Sequence, residues 1–481
     1  MKHFSLTVLA IALGGMAPAL SIAEALSDRA DEAALCSKIQ PSPDIQLIGT
    51  PRWIERGALP AHCEVRGVKA NKVEFLMRLP IPWNGRFMMA GCGGFCGELL
   101  PDKTGYSNSI NEAVKRGYAA IAHDGGHKAA SWDTDWAVDS DALDIWSHRI
   151  LPMMVDLGLD LTRQVYGKEP NYKYFSGCSN GGRLGLIAAQ RYPNLFDGIA
   201  AGASIFDLSG TAGSWGNWLI ANAYQGKTPL LDHSITSRVQ KIVLQQCDAQ
   251  DGRVDGMLQN PRSCKVDFSQ HVCDGAECLN SSHALALNAL YSGVKDQNDE
   301  LIYPGTEFGS EYYGDIWLFG SAERPAWGIR ASEGYRRILE RSVKQAPAET
   351  ALSVEAMQKL IAQSPVPALA DAKDPNLQPL VESGNKLLIY HGLADPLIIP
   401  KPLEDYFEAA AAATGGRAKL ESAARLFMIP GWGHCWEKPA PVADLFDPLE
   451  VLENWVENGR APEQLTLKSR DGKQTLVVPK Q

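Results

Sequence analysis

The feature that constrains the fold of this chain most is an alternation of short apolar stretches with helical patterns. Between residues 65 and 205, apolar stretches of strand-like length read KVEFLMRLP, RFMMAGCGG, YAAIAHDGG and YKYFSGCS. Helical patterns separate them, near SINEAVKRG and through ALDIWSHRILPMMVDLGLDLTRQVYG. Strands that alternate with helices form a parallel or mixed sheet covered by helices on both faces. The sequence therefore predicts a fold of the α/β class.

The alternation stops near residue 206 and resumes near residue 381. The second run comprises NKLLIYHGLAD, a helix through PLEDYFEAAAAATG, ARLFMIPGWGHC and a last helix, DPLEVLENWVENG. The intervening residues 206–380 are rich in Trp, Tyr, Gly, Pro and Cys, with isolated helical patches such as SITSRVQKIVLQQC. We interpret this segment as a lid inserted into one α/β domain, which is formed by residues 26–205 and 381–481.

The first residues have the pattern of a secretory signal peptide. Lys2 and His3 precede an apolar run over residues 4–20, and small residues follow in SIAEA. We predict a signal peptide over residues 1–25, with cleavage before Glu24 or Leu26. A membrane anchor is the alternative, but the run contains Pro and Gly and ends in a cleavable pattern. The mature protein is expected to be secreted or periplasmic.

The net charge and the cysteine content exclude some classes of binding partner and of metal site. The formal net charge is -10, and no long Lys/Arg run is present, which argues against nucleic acid and anionic lipid as partners. All ten cysteines lie outside the predicted signal peptide. An even number of cysteines in an oxidising compartment favours disulfides over free thiols or zinc. Cys63 and Cys435 each have one adjacent His, but no cluster of paired Cys and His ligands is present, so a zinc site is not expected.

A candidate nucleophile lies in YFSGCSNGGRLG. Ser179 occupies the centre of a GxSxG frame, after an extended apolar stretch and before the helical pattern RLGLIAAQRYP. Small neighbours let a sharp strand-to-helix turn close, so that the hydroxyl projects above the sheet beside the N–H groups of the helix start. A lone GxSxG is a weak signal, because glycine-rich turns are common. The strand before it and the helix after it favour the nucleophile elbow of an α/β-hydrolase.

A serine hydroxyl needs a base, and the base needs a carboxylate to orient it. In the α/β-hydrolase fold the acid and then the histidine follow the serine along the chain. Asp395 comes at the end of KLLIYHGLAD, where a strand has ended, and His434 lies in a glycine-flanked loop after RLFMI. A turn or helix-cap role is the alternative for Asp395. His391 is a rival base, but its position four residues before the acid favours a structural role.

With these residues, the sequence resembles the tannase and feruloyl esterase family, which also contains hydrolases of mono(2-hydroxyethyl) terephthalate. The resemblance rests on Ser179, Asp395 and His434, with Cys178 directly before the serine and Cys435 directly after the histidine. It extends from about residue 36 onward and includes GCGGFCG, HDGGH and QRYPNLFDGIAAGAS. It implies an α/β-hydrolase fold with the lid between the nucleophile strand and the acid and base strands.

The resemblance also implies several local features around the serine. Cys178 and Cys435 are expected to form a disulfide that ties the nucleophile elbow to the histidine loop. The glycine-rich segment GCGGFCG is similar to the family's oxyanion loop, so the oxyanion donors are expected to be the N–H of Asn180 and that of Gly93 or Gly94. A simple tight turn is the alternative for this segment. Further disulfides are predicted between Cys92 and Cys96, Cys247 and Cys264, Cys273 and Cys278, and Cys36 and Cys63.

The segment CDAQDGRVDGML is a candidate metal site in the insertion. Asp248, Asp251 and Asp255 bring three carboxylates into one short glycine-containing loop, with the carbonyls of Arg253 and Met257 as further oxygen ligands. The spacing differs from that of an EF-hand. In the family a calcium ion occupies the matching loop of the lid, which implies Ca²⁺ at these positions. A solvated acidic turn is the alternative, and no organic cofactor is expected.

The substrate is the least constrained property. Aromatic residues are dense in EYYGDIWLFGSAERPAWGIR, where they either stack on a phenyl ring or form the core of the lid. Arg324 or Arg330 is a candidate partner for a substrate carboxylate. The resemblance implies an exported serine esterase for esters of hydroxycinnamic or gallic type acids, either as small esters or as esters linked to polysaccharide or polyphenol. The alternatives are a terephthalate-type monoester hydrolase, a peptidase, and a catalytically silent binding module on the same scaffold.

Overall fold

The structure is a computed structural model that describes residues 34–103, 108–226, 228–275, 278–321, 323–346, 348, 350–436 and 442–481. The predicted signal peptide, residues 1–25, lies outside the described residues. Within the described ranges, no helix has the length and apolar character needed to cross a membrane.

The strands of the described chain fall into one large sheet and three small ones. In chain order they are β1 (Ile45–Leu47), β2 (Arg52–Ile54), β3 (His62–Lys69), β4 (Val73–Pro80), β5 (Arg86–Ala90), β6 (Ala119–His123), β7 (Tyr172–Cys178), β8 (Gly198–Gly202), β9 (Tyr224–Gln225), β10 (Thr228–Pro229), β11 (Val294–Lys295), β12 (Leu301–Tyr303), β13 (Lys386–Gly392), β14 (Ala424–Ile429), β15 (Gln464–Lys468) and β16 (Thr475–Pro479).

The large sheet has ten strands in the order β1-β3-β4-β6-β5-β7-β8-β13-β14, with β2 paired to β3. The strands from β1 to β4, and the pairing of β4 with β6, are antiparallel. From β6 to β14 all pairs are parallel. The sheet is therefore mixed, and its parallel part has the crossed strand order of an α/β-hydrolase.

Apolar clusters cover both faces of the sheet. In β7, the adjacent residues Tyr174 and Phe175 are both fully buried, and they belong to different clusters because successive side chains of a strand point to opposite faces. The larger cluster contains Phe175, Leu184 and Trp146, and the smaller contains Tyr174, Tyr390 and Leu449. A strand buried on both faces has a continuous apolar sequence, which is the pattern that predicted this sheet.

The α-helices lie around the sheet and in the segment between β8 and β13. They are Asn111–Lys115, Ser140–Asp144, Ile150–Tyr166, Asn180–Arg191, Gly216–Ala223, His233–Cys247, Ser281–Ser292, Gly314–Trp317, Trp327–Ser342, Val354–Gln363, Val366–Ala370, Gln378–Ser383, Pro400–Thr414, Arg417–Leu420 and Pro448–Asn458. Two π-helical segments, Ile145–Arg149 and Ser209–Trp215, also occur.

The segment between β8 and β13 contributes no described strand to the large sheet. Its short strands pair only with each other, β9 with β10 and β11 with β12. The ten strands of the large sheet therefore come from residues 45–202 and 386–429. The predicted boundaries of the lid at 206 and 380 lie close to the two points where the chain leaves and rejoins this sheet, and the division into domains stays a prediction.

Three parts of the fold differ from the sequence analysis. The single long helix expected through residues 142–167 consists of Ser140–Asp144, the π-helical segment Ile145–Arg149 and Ile150–Tyr166. Pro152 is the third residue of Ile150–Tyr166, directly after the π-helical segment, and it supplies no N–H to the helical hydrogen bonds. The strands β1, β2 and β3 and the hairpin β15–β16 were not predicted, since their sequences lack a continuous apolar run. The strand β8 lies within QRYPNLFDGIAAGAS, where the resemblance implies the helix that follows the nucleophile, so that expectation was wrong for Gly198–Gly202.

Candidate active site

Ser179 lies at the sharp turn between β7 and the helix Asn180–Arg191. Its backbone has φ 62° and ψ -121°, a strained conformation for a residue with a side chain. Its N–H donates to the carbonyl of Gly202 at 3.0 Å, which ties the turn to the neighbouring strand β8. The turn is therefore held in the strained geometry expected of a nucleophile elbow.

The glycines of the frame are required by close backbone packing. A Cβ at Gly177 would lie 2.6 Å from the carbonyl of Gly181, and a Cβ at Gly181 would lie 2.1 Å from Oδ1 of Asn108. The side chain of Asn108 in turn accepts from the N–H and donates to the carbonyl of Cys178, each at 3.3 Å. Larger residues at either glycine would displace the turn that carries Ser179.

Asp395 and His434 form the next part of the site. Both side chains are buried, and Nδ1 of His434 donates to Oδ2 of Asp395 at 2.7 Å. The other carboxylate oxygen, Oδ1, accepts the N–H groups of Leu397 and Ile398, each at 3.0 Å. Burial raises the pKa of Asp395, but the charge of His434 and the hydrogen bond from it outweigh burial, so the pKa lies below its ordinary value. Asp395 is therefore held ionised and oriented toward His434.

His391, the rival base, has a different environment. Its Nε2 donates to the carbonyl of Ile398 at 2.7 Å and lies 3.7 Å from Oδ2 of Asp395. Burial lowers the pKa of His391, which keeps the ring neutral. The contact with Ile398 fixes the loop that carries Asp395, so His391 supports the acid.

The loops of Ser179 and His434 are joined covalently. The disulfide Cys178–Cys435 places its two Cα atoms 5.9 Å apart. Because β7, β8, β13 and β14 are parallel neighbours, the loops after β7, β13 and β14 meet at one edge of the sheet. The structure thus brings Ser179, Asp395 and His434 to the same edge.

The glycine-rich segment after β5 lies beside the elbow. Gly94 lines a cavity together with Ser179 and Asn180, whereas Gly93 lines only the neighbouring cavity. The N–H groups of Phe95 and Cys96 are bonded to carbonyls, while no hydrogen bond among the described residues uses the N–H of Gly93 or of Gly94, so the two glycines differ only in the cavity they line. Of the two candidate glycines, Gly94 therefore has the better placement for an oxyanion donor.

The cavity at Ser179 is small, with a volume of about 30 Å³, and its walls are mostly apolar. Trp317, from the insertion, lines it and packs edge-on against the ring of His434, with ring centroids 4.6 Å apart. The other described lining residues are Gly94, Phe95, Trp132, Asn180, Ile205, Leu208, Ala212, Ala331 and Leu397. The walls of this cavity favour apolar surface next to the serine.

No lysine or arginine occurs among the described residues that line this cavity. Arg324 and Arg330, the candidate partners for a substrate carboxylate, are exposed and absent from its lining. A second, more polar cavity of about 350 Å³ adjoins it at Gly94 and Trp132, and Lys103 lies there. The wall of the first cavity therefore offers no cation to an acidic substituent.

The acidic loop of the insertion has its carboxylates turned to backbone N–H groups. Asp248 is buried and accepts from the N–H of Gly256 at 3.1 Å, and Asp251 accepts from Arg253 at 3.1 Å. Asp255 accepts from Met257 at 3.2 Å. Among the described residues, no group of three or more His, Cys, Asp or Glu side chains is arranged to hold a metal. The donor set has the chemistry of a Ca²⁺ site, but its carboxylates do not converge in this arrangement.

All five predicted disulfides are present. Besides Cys178–Cys435, the structure contains Cys36–Cys63, Cys92–Cys96, Cys247–Cys264 and Cys273–Cys278. The Cys92–Cys96 bond closes the segment that contains Gly93 and Gly94, and Cys247–Cys264 brackets the acidic loop.

The sequence analysis missed several residues of the site. Asn108, Phe95 and Trp132 come from loops whose sequences give no periodic signal. Arg183 is fully buried one turn into the helix after Ser179, in a sequence otherwise made of small and apolar residues. A charge within such a run is a signal of a specific buried partner, which could have been recognised from the sequence.

Comparison with known proteins agrees with this geometry. The sequence model of the family described as Tannase and feruloyl esterase matches residues 58–480. The chain is 29% identical over 488 residues to a mono(2-hydroxyethyl) terephthalate hydrolase of Piscinibacter sakaiensis, covering 86% of this chain and 79% of the relative. It is 28% identical over 413 residues to feruloyl esterase B of Aspergillus niger, covering 80% and 75% respectively.

The fold is similar to that of a solved structure as well. The crystal structure of an esterase from Aspergillus oryzae superposes with a TM-score of 0.81 at 23% identity. The match covers 93% of this chain and 95% of the other. The fold is therefore shared along nearly the whole length of both chains.

Proposed function

Because the chain belongs to the tannase and feruloyl esterase family, we propose that it is a serine esterase for esters of aromatic carboxylic acids. Family membership makes the chain a carboxylic ester hydrolase. The observation that carries the serine mechanism is the pair formed by Asp395 and His434, 2.7 Å apart, whose loop is joined by a disulfide to the turn that holds Ser179. An intact set of these groups argues against a catalytically silent module.

Acylation follows from this arrangement. Asp395 binds Nδ1 of His434 and thereby fixes the ring so that Nε2 takes the proton of Ser179 as its hydroxyl attacks the ester carbonyl. The charge that develops on the carbonyl oxygen is bound by the N–H groups of Asn180 and Gly94. The ionised Asp395 stabilises the imidazolium, which then protonates the departing alcohol.

Deacylation repeats these steps with water. His434 removes a proton from water, the hydroxide attacks the acyl-Ser179 carbonyl, and the same N–H groups bind the second oxyanion. The aromatic acid leaves, and Ser179 regains its proton from His434.

The walls of the cavity support an apolar acyl group. A hydroxycinnamoyl group presents a phenyl ring and a double bond to Trp317, Phe95 and Leu397, contacts that favour apolar surface. A galloyl group carries three phenolic hydroxyls, which need polar partners when they are buried. We therefore propose hydroxycinnamic esters as the preferred substrates and gallic esters as poorer ones.

The same wall disfavours a terephthalate-type monoester. Burying a carboxylate without a paired cation is costly, and the described lining contains no Lys or Arg. The two arginines suggested from the sequence, Arg324 and Arg330, are exposed. The free carboxylate of such a substrate is part of its acyl group, so it would lie on the acyl side of the site.

Two further properties are part of the proposal. We propose that the loop with Asp248, Asp251 and Asp255 binds Ca²⁺ after its carboxylates rearrange, with a structural role in the lid. Export through the predicted signal peptide accords with the five disulfides, which form in oxidising compartments.

The test of substrate class is a comparison of kcat/KM for three esters. Methyl ferulate, methyl gallate and mono(2-hydroxyethyl) terephthalate are to be measured with the wild-type enzyme and with Leu397→Arg. The wild type is expected to rank ferulate first and the terephthalate monoester last, and the variant is expected to raise the relative rate of the monoester. A wild-type preference for the monoester would contradict the argument from the cavity wall.

A further inference from the structure

We propose that the side chains of Arg183 and Asn180 position the loop that carries Gly94, and so act as positioning residues for the oxyanion site. The inference rests on the proposed serine mechanism and concerns the side chain of Asn180, separate from the role of its N–H. It assigns a function to a buried cation that the reaction itself does not use.

Arg183 makes four hydrogen bonds from its five N–H donors. It is fully buried, and its Nε donates to Oδ1 of Asn180 at 2.8 Å. Its two Nη atoms donate to the carbonyls of Ser147 at 2.8 Å, Ala370 at 2.9 Å and Trp146 at 3.1 Å. The guanidinium also stacks over the ring of Trp146, at 4.6 Å from its centroid.

No ion pair of Arg183 with a carboxylate occurs among the described residues. A buried cation that binds only neutral acceptors stabilises the fold weakly, because its desolvation is costly. Its planar fork of donors, however, fixes the direction of each acceptor. The guanidinium therefore holds the amide of Asn180 in one orientation.

That orientation decides what the other end of the amide contacts. With Oδ1 taken by Arg183, Nδ2 of Asn180 faces the segment after β5, where it donates to the carbonyl of Cys92 at 3.2 Å and to Sγ of Cys96 at 3.2 Å. The Cys92–Cys96 disulfide closes a loop of only five residues, with Gly93 and Gly94 inside it. One amide thus anchors both ends of the loop that carries the second oxyanion donor.

The two oxyanion donors are thereby linked through a single side chain. Asn180 supplies one donor from its backbone, and its side chain sets the distance to the loop of the other. Displacing an oxyanion donor by about 1 Å costs on the order of 100-fold in rate. Loss of the anchor should therefore reduce the stabilisation of the transition state and leave substrate binding nearly unchanged.

The test uses Asn180→Ala and Asn180→Asp in the full-length enzyme, with p-nitrophenyl acetate as substrate so that acyl preference plays no part. In Asn180→Asp, one carboxylate oxygen still accepts from Arg183, so the fold is retained, but the other opposes the carbonyl of Cys92. Both variants are expected to lower kcat about 100-fold with KM changed less than about threefold. Phenylboronic acid, which forms a tetrahedral adduct on the serine, should bind more weakly in the same proportion.

The matched control is Gln190→Met on the same helix. Gln190 is also buried, and its Nε2 donates to the carbonyl of Ala372 and to Tyr406 Oη, each at 2.7 Å. This variant loses two buried hydrogen bonds away from the loop, so Tm should fall while kcat and boronate affinity stay at the wild-type level.

Folded Asn180 variants with wild-type kcat, or with a raised KM alone, would overturn the positioning role. A Ser179→Ala variant measured in parallel separates the two hypotheses. If Ser179→Ala is inactive while Asn180→Asp retains full kcat, the serine mechanism stands and the positioning role fails. If Ser179→Ala retains activity, the proposed function itself is wrong.

Discussion

Cys178 and Cys435 are 257 positions apart in the chain, yet their Cα atoms lie 5.9 Å apart, and each is the direct neighbour of a residue of the proposed reaction. The disulfide fixes the separation of the serine and histidine loops across the whole insertion. Its geometric role at the site is therefore distinct from its effect on global stability.

The double variant Cys178→Ala with Cys435→Ala tests this distinction. The chain-entropy estimate for so long a loop is about 5 kcal/mol of lost stability, an upper value for a chain with four other disulfides. At a temperature where the variant remains folded by circular dichroism, kcat should fall about 100-fold, because Ser179 and His434 lose their fixed spacing. Cys273→Ala with Cys278→Ala is the control, with full activity expected. Normal kcat in the folded double variant would refute the geometric role.

Replacement of each candidate base separates His434 from His391. Asp395→Asn and His434→Ala should lower kcat by about 10³-fold or more, since each removes proton transfer or its orientation. His391→Gln keeps a donor toward the carbonyl of Ile398 and should retain activity within about tenfold, with a lower Tm. Steady-state rates with methyl ferulate are the measurement. A His391 variant as inactive as the His434 variant would require the base to be reassigned.

The stability of the fold should depend on the ionisation of Asp371. Burial and the nearby carboxylate of Asp207 raise the pKa of Asp371 to about 7. The folded state therefore binds this proton more tightly than the unfolded state, in which an aspartate has a pKa of about 3.9. As the pH rises from about 3.9 to about 7, the free energy of unfolding falls because of this carboxyl. Asp371→Asn, which keeps an acceptor for the N–H of Ser209, removes that dependence.

The Tm difference between Asp371→Asn and the wild type should therefore be more positive at pH 8 than at pH 5. Thermal unfolding at the two pH values measures it directly. Equal differences at both values would show that the carboxyl does not change its ionisation in this range.

Removal of calcium should lower the thermal stability of the protein more than it lowers kcat. An ion bound only to the native state adds about 2.7 kcal/mol at a free concentration 100 times its dissociation constant. Chelation should lower Tm, added Ca²⁺ should restore it, and Asp248→Asn should abolish the response. An identical Tm with chelator and with Ca²⁺ in the wild type, together with no Ca²⁺ uptake by elemental analysis, would exclude the site.

Apart from β8, the parallel half of the sheet, the elbow and the acid and base loops could be predicted from the sequence, because they depend on local patterns. β7 and β13 are continuous apolar runs, and Ser179 and Asp395 follow the ends of those strands. The disulfide pairs were predicted with the help of the family resemblance. The choice of Gly94 over Gly93 needed the structure, since two adjacent glycines have the same local sequence pattern.

The walls of the cavity could not be predicted for a different reason. Trp132, Ala331 and Leu397 come from three distant parts of the chain, and only tertiary packing brings them to Ser179. Asn108 donates to a backbone carbonyl, and Arg183 donates to backbone carbonyls and to the side-chain amide of Asn180. Such contacts produce no periodic pattern in the sequence. The antiparallel strands β1 to β3 are short or partly polar, and they form through pairing with β4.

Covalent labelling tests directly whether Ser179 is the nucleophile of the proposed reaction. A fluorophosphonate ester is to be incubated with the wild type and with Ser179→Ala, followed by peptide mapping by mass spectrometry and by assay of methyl ferulate hydrolysis. In the wild type we expect a single adduct, on Ser179, and complete loss of activity. In the Ser179→Ala variant we expect neither an adduct nor turnover. An adduct on another residue, or ferulate hydrolysis by Ser179→Ala near the wild-type rate, would contradict the assignment of Ser179 as the nucleophile.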